Sequence, residues 1–147
     1  MFKTLTSTTT AIAPFLIRLG LGLVMFPHGA QKALGWFGGP GWGGTMGYFT
    51  GTLGLPALVV VLIILGEFLG ALGLITGTLT RVAAAGFVII QVGAVLTAHL
   101  SNGFFMNWMG TQQGEGIEYG ILAIVMAATL VVTGAGRWSV DRALATA

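Results

Sequence analysis

Four apolar stretches, each long enough to cross a lipid bilayer, take up most of this chain. A transmembrane helix needs roughly 20 predominantly apolar residues, and the stretches at 12–34, 56–77, 81–100 and 117–135 meet that length. Of the 147 residues, 55% are hydrophobic and 7% are charged, whereas soluble domains carry about 25% charged residues. The sequence therefore predicts an all-α membrane protein, a single-domain bundle of four transmembrane helices over residues 1–147.

Two segments rich in glycine and aromatic residues connect the helices on one side. Residues 35–54 contain nine glycines, five aromatic residues and no charge, and the second segment covers residues 101–116. Glycine-rich backbone cannot lie unpaired in lipid, so we expect the first segment at the membrane interface, with a short helix over residues 44–53. The polar residues 1–11 are expected to be frayed or to lie at the interface.

The positive charges predict the orientation of the bundle. Four helices put both termini and the turn between the second and third helices on the same side, which holds Lys3, Arg81, Arg137 and Arg142, whereas the other side holds only Lys32. The positive-inside rule then places both termini in the cytoplasm. We expect a multi-pass protein of the bacterial cytoplasmic (inner) membrane, with its two aromatic loops outside.

Two charged residues lie away from the ends of the predicted membrane helices, where a charge is costly and usually has a function. Glu67 lies about halfway along the second helix, and Arg18 lies in the cytoplasmic half of the first. One hypothesis pairs Glu67 with Arg18. A second, compatible hypothesis makes Glu67 a carboxylate that accepts protons or orients a ligand. Arg18 could instead extend towards a lipid phosphate.

Three groups of polar residues lie at the outer ends of the first, third and fourth helices, with spacings that put each group on one helix face. If the bundle closes normally, these groups meet at its outer mouth, where Lys32 is expected to contact acidic residues. The alternative is a polar collar at the membrane interface. The groups are His28, Gln31 and Lys32, then His99 and Asn102, then Glu115 and Glu118.

Several classes of chemistry are excluded or disfavoured by the composition. The chain has no cysteine, which excludes disulfide relays, thiolate catalysis and cysteine-ligated clusters. The two histidines have no HxxxH or ExxH spacing, so no metal site is predicted. No basic run or RNA-binding signature is present, so no nucleic-acid partner is expected.

Short motifs occur in order over nearly the whole chain. They include Arg18-Leu-Gly-Leu-Gly, Pro27-His28-Gly29-Ala-Gln31-Lys32, Gly66-Glu67-Phe-Leu-Gly70, Gly77-Thr-Leu-Thr80-Arg81, Ala98-His99-Leu, Gly116-Ile-Glu118-Tyr119 and Ser139-Val-Asp141. Together they resemble the DoxX family of small four-helix membrane proteins. The resemblance implies a membrane protein associated with quinones or oxidative stress, with recurrent polar residues at Arg18, His28, Lys32, Glu67, Arg81 and Glu118.

The resemblance and the polar residues together favour a redox-associated protein, such as a quinone-interacting subunit of an oxidoreductase or oxidative-stress system. Its expected partners are membrane lipid, quinone, a redox protein and a second copy of the chain. Two other hypotheses stay open, a small proton-coupled transporter and a non-catalytic assembly subunit, and catalysis itself is left open. The candidate cofactor-binding residues are His28, Gln31, Lys32, Glu67, Trp36, His99, Glu118 and Arg18.

Overall fold

The computed structural model describes residues 2–145, and it contains helices and no strand within them. Four short irregular turns supplement the α-helices. A 3-10 turn lies at Trp36–Gly38 and a π turn at Tyr48–Thr52 after α3, and a π turn at Val95–His99 continues α5 into a final 3-10 turn at Leu100–Asn102. The α-helices are α1 Phe2–Thr6, α2 Ile12–Leu34, α3 Gly41–Gly47, α4 Ala57–Thr76, α5 Thr80–Ala94, α6 Glu118–Thr133 and α7 Val140–Ala145.

Four of these helices form a closed bundle. Along the chain, α2 packs against α4, α4 against α5 and α5 against α6, and α6 closes the ring against α2. Three helices, Ile12–Leu34, Ala57–Thr76 and Thr80–Asn102, are long and apolar enough to cross a membrane, while α6 is apolar but shorter at 16 residues. The expectation of an all-α protein built on long apolar helices is confirmed.

The bundle has a core of closely packed small residues and an apolar outer surface. Small and medium residues such as Ala71, Ala84 and Ala127 fill its centre around Phe87, while large side chains such as Ile89 lie on its outer surface, 73% exposed. Large contiguous apolar surfaces are rare on soluble monomers. The outward apolar faces therefore fit contact with lipid.

Gly29 lies at a close backbone contact between α2 and α4. A Cβ atom added at Gly29 would lie 2.6 Å from Cα of Phe68 and 2.8 Å from the carbonyl carbon of Glu67. Both neighbours are backbone atoms, which cannot move aside without separating the helices. Glycine at this position therefore sets the spacing of α2 and α4, and it brings the end of α2 beside Glu67.

Replacing Gly29 by alanine is expected to lower the free energy of unfolding by about 1–3 kcal/mol, because the new methyl group forces α2 and α4 apart. Gly20 on the same helix is the matched control, since a Cβ atom there meets nothing within 4 Å. Gly20→Ala should leave stability unchanged or slightly raised. Denaturant titration in mixed micelles measures both variants. Equal stability of the two variants would contradict this account of the helix contact.

The end of the bundle that holds both ends of the described chain, here called the terminal end, is held together by hydrogen bonds between the N-terminal and C-terminal segments. The amide of Gly136 donates to Oγ1 of Thr8 at 2.6 Å, and the amide of Arg137 donates to the carbonyl of Ala11 at 3.2 Å. The described part of residues 1–11 forms α1, which packs against α5 and α7, while the expected position of this segment at the membrane interface stays a prediction. The side chain of Lys3 lies outside the described residues.

At the opposite end, here called the loop end, residues 35–56 and 103–117 cover the bundle. The expected short helix exists, but it begins earlier, at Gly41, and becomes a π turn at Tyr48. The hydroxyl of Thr45 on α3 donates to the carbonyl of Lys32 at 3.3 Å. This bond fastens α3 onto the last turn of α2.

Candidate functional site

Arg18 lies at the terminal end, in a cage of backbone carbonyls. The residue is 1% exposed, and its guanidinium stacks on the ring of Phe15 at 5.1 Å. Nη1 donates to the last turn of α4 at 2.7 and 2.8 Å, Nε donates at 2.9 Å, and Nη2 donates to two more oxygens. The five acceptors are the carbonyls of Leu74, Ile75, Ala135, Arg137 and Trp138.

The hypothesis that Arg18 pairs with Glu67 is therefore wrong. Glu67 lies level with Gly29, which is eleven residues, or about 16 Å, along α2 from Arg18. Carbonyls at the end of a helix lack partners within the helix and carry the negative end of its dipole. These carbonyl oxygens accept the hydrogen bonds of the Arg18 guanidinium and partly balance its positive charge. The burial of Arg18 also excludes the alternative of a lipid phosphate.

Asp141 reinforces the terminal end in a way that the sequence did not reveal. Its carboxylate accepts the amides of Leu79 at 2.7 Å and Thr80 at 2.8 Å, which are the free N–H groups at the start of α5. Asp141 also interacts electrostatically with Arg18. Ser139 caps the start of α7, since its Oγ accepts the amide of Arg142 at 3.2 Å.

A cavity of about 260 Å³ lies in the half of the bundle nearer the loop end. All four bundle helices and the segment before α6 contribute to its wall. The apolar lining includes Val24, Met25, Ala94 and Met106. The polar and ionisable lining consists of His28, Lys32, Glu67, Gln91, His99, Glu115 and Tyr119.

The strongest interaction in the cavity is an ion pair between α2 and α4. Nζ of Lys32 lies 2.7 Å from Oε2 of Glu67, and Glu67 is 5% exposed. The expectation that Lys32 contacts Glu115 or Glu118 is wrong. The close approach at Gly29 explains the difference, because it puts Glu67 within reach of a lysine side chain three residues further along α2.

His28 and His99 lie on opposite sides of the same cavity. The exposed ring of His28 lies close enough to Lys32 and Glu67 to interact electrostatically with both. Nδ1 of His99 lies 3.0 Å from the carbonyl of Glu115, which orients the ring. His99 ends the π turn of α5, and π turns inside α-helices occur frequently at functional sites.

Three other predicted site residues hold the loop end together and do not line the cavity. Nε2 of Gln31 donates to the carbonyl of Phe37 at 3.3 Å. Trp36 is 54% exposed and packs edge-on against Phe26 at a centroid distance of 6.5 Å. The carboxylate of Glu118 accepts the amide of Met106 at 2.8 Å. Arg18 lies outside the cavity as well, in its cage of carbonyls. The other four of the eight predicted residues line the cavity: His28, Lys32, Glu67 and His99.

Two hydrogen-bond donors in the cavity converge on one sulfur atom. Nε2 of Gln91 lies 3.5 Å from Sδ of Met25, and the hydroxyl of Tyr119 lies 3.4 Å from the same atom. Gln91 therefore bonds between helices, from α5 to a thioether of α2. Tyr119 was not singled out in the sequence, because a tyrosine near the end of a membrane helix is ordinary.

The described residues contain no ready set of metal ligands. Within residues 2–145, no three His, Asp or Glu side chains are arranged to hold a metal ion. The cavity instead presents one ion pair, several neutral donors and an apolar wall.

A bundle of long apolar helices around a cavity with a few polar side chains defines a small multi-pass membrane protein. Its sequence allows the family to be named. The chain belongs to the DoxX family, whose sequence model matches residues 13–100.

Two curated relatives match most of the chain. "Putative oxidoreductase CatD" of Bacillus subtilis (strain 168) is 27% identical over 130 residues, which cover 88% of this chain and 85% of the relative. "Inner membrane protein YqjF" of Escherichia coli (strain K12) is 34% identical over 115 residues, which cover 71% of this chain and 79% of the relative. No solved structure matches the chain. The apolar helices and the second relative support the predicted inner-membrane location.

Proposed function

We propose that this chain is a redox-associated membrane protein that binds a quinone headgroup in the cavity at the loop end. The observation that carries the proposal is the Lys32–Glu67 ion pair, buried beside neutral hydrogen-bond donors in an otherwise apolar space. The name of the B. subtilis relative, which calls that protein an oxidoreductase, supports the redox class.

The residues of the cavity fit the chemistry of a quinone. Its ring is flat and apolar, and its two carbonyl oxygens accept hydrogen bonds. Met106 and Ala94 offer an apolar wall, while Lys32, Gln91 and Tyr119 offer donors. Ligand pockets in proteins commonly measure roughly 300–1,000 Å³, so a cavity of about 260 Å³ takes the headgroup and leaves an isoprenoid tail among the lipids.

Reduction of a quinone consumes two electrons and two protons. Glu67 is placed to relay both protons in turn from the outer water to the two quinone oxygens, since it lines the cavity and among the described residues only Lys32 donates to its carboxylate. His28 is exposed, lines the same cavity and interacts electrostatically with both members of the pair, so we assign to it the route of the protons. A separate redox protein supplies or removes the electrons.

The proposal includes the orientation of the bundle. We take α6 as a fourth membrane crossing, because it packs between α5 and α2 in the closed ring. Arg81, Arg137 and Arg142 then mark the terminal end as cytoplasmic. The cavity faces the outer half of the membrane, so its protons exchange with the outer side.

The test is mass spectrometry of small molecules extracted from protein purified in mild detergent. A quinone at about one molecule per chain is expected. Lys32→Met should lower that occupancy about tenfold, because a hydrogen bond from a charged donor is lost. Arg137→Met is the matched control, an exposed cation at the other end of the bundle, and it should keep the quinone. Recovery of phospholipid alone, with no binding of added menadione, would overturn the proposal.

A further inference from the structure

The sulfur atom of Met25 accepts hydrogen bonds from two other helices. Gln91 donates from α5 at 3.5 Å, and Tyr119 donates from α6 at 3.4 Å. Met25 is 2% exposed and Gln91 is 8% exposed, so water does not readily replace their contact, while Tyr119 is partly buried. All three residues line the cavity that holds the ion pair.

A thioether is a weak acceptor for two donors of this strength. The amide of glutamine and the hydroxyl of tyrosine bond far better to oxygen than to sulfur, and a buried donor without a good acceptor costs free energy. An oxygen atom that entered the cavity between Gln91 and Tyr119 would recover that cost. The pair is therefore arranged for an acceptor that the chain itself does not supply.

The charges of the cavity indicate what kind of oxygen this is. Lys32 is the one lysine or arginine in the lining, and Glu67 already neutralises it. Glu67 also interacts electrostatically with Tyr119, so a carboxylate or phosphate placed at Tyr119 would be repelled by Glu67 without a free cation to offset the repulsion. A neutral carbonyl oxygen accepts both hydrogen bonds without that penalty.

We propose that Gln91 and Tyr119 form a two-donor site for a neutral carbonyl oxygen, and that the bound oxygen displaces Sδ of Met25 as their acceptor. The inference rests on the proposed function, because it assigns contacts of the ligand in the same cavity. It assigns Gln91 of α5 and Tyr119 of α6 to one and the same carbonyl oxygen, on helices other than those of the ion pair. In a ligand with two carbonyls, this site holds one oxygen and the Lys32 end holds the other.

Titration of the detergent-solubilised protein with three probes tests this site. The readouts are tryptophan fluorescence and thermal stability. Menadione has two carbonyls, tetralone has one, and methylnaphthalene has none. Menadione and tetralone should bind, and methylnaphthalene should bind at least about tenfold more weakly. Tyr119→Phe and Gln91→Leu should each weaken menadione and tetralone about three- to tenfold. Tyr48→Phe and Gln113→Leu are the matched controls at exposed positions and should change neither.

Met25→Leu separates a binding role of the donors from a packing role. Leucine keeps the volume and removes the competing acceptor, so carbonyl probes should bind as tightly as to wild type, or more tightly. If Met25 only positioned the two donors, Met25→Leu would weaken binding as much as Tyr119→Phe. That result would overturn the displacement.

The outcomes separate this inference from the proposed function. Quinone that co-purifies, and that binds equally to wild type, Tyr119→Phe and Gln91→Leu, would overturn the two-donor site and leave the proposed function standing. Donor-dependent binding of tetralone, with no quinone in the purified protein and none bound on addition, would keep the carbonyl site and overturn the quinone. Failure of every probe to bind would overturn both.

Discussion

Replacing Arg18 by methionine is expected to lower the free energy of unfolding by about 3–5 kcal/mol, the scale found when one partner of a buried charged contact is lost. Methionine fills similar space but donates no hydrogen bond. The five carbonyls that Arg18 serves would lose their partner in the buried terminal end. Arg18→Lys should be intermediate, because an ammonium has three donors and cannot reach all five oxygens.

Unfolding by SDS in mixed micelles, followed by far-UV circular dichroism, measures this series. Arg137→Met is the matched control, since Arg137 is exposed and its guanidinium stacks on Trp138 at 4.9 Å. Its loss should cost about 1 kcal/mol or less. The folded fraction of Arg18→Met should still bind menadione with unchanged affinity, because the cage is about 16 Å from the level of Glu67. Unchanged stability of Arg18→Met would show that the cage contributes nothing.

The helices were predictable because their signals are local. The second helix was predicted over 56–77 and observed as Ala57–Thr76, since Pro56 and Gly77 mark its ends in the sequence itself. Gly77 adopts a φ of 72°, and a Cβ atom there would collide with Ser139 and approach Arg18 to 3.0 Å. Apolar length and helix-breaking residues need no knowledge of the partner helix.

The partners of the charged residues could not be predicted in the same way. Arg18 was expected to find the nearest acid, but backbone carbonyls at helix ends leave no trace in a pattern of side chains. Lys32 was expected near Glu115 and Glu118, and only the contact at Gly29 decides that it meets Glu67. The register between helices depends on which glycine faces which backbone, and many glycines in this sequence look alike.

The ends of the chain show the same limit. Asp141 caps α5 through the amides of Leu79 and Thr80, more than sixty positions earlier in the sequence. Locally, Asp141 reads as part of the short tail helix that Ser139 begins. The hydrogen bond from Tyr119 to Met25 likewise depends on the packing of α6 against α2, which the sequence around Tyr119 does not indicate.

Breaking the Lys32–Glu67 pair from either side is expected to destabilise the protein, whereas removing both charges is not. Lys32→Met leaves the carboxylate of Glu67 buried without its donor and should cost about 3 kcal/mol. Glu67→Leu should cost less, about 2 kcal/mol, because the lysine side chain is 22% exposed and can turn towards the interface. The double variant should unfold within about 1 kcal/mol of wild type, since apolar replacements of buried ion pairs are often neutral.

The double variant is also the variant that distinguishes a functional pair from a structural one. A pair that only joined α2 to α4 could be replaced by leucine and methionine with no loss of ligand binding. A pair that binds a carbonyl oxygen and relays protons cannot be replaced in this way without loss of binding. The stable double variant should therefore bind menadione at least about tenfold more weakly than wild type. Binding at wild-type strength in that variant would assign the pair to structure alone. Additive destabilisation by the two single changes would show instead that Lys32 and Glu67 are not coupled.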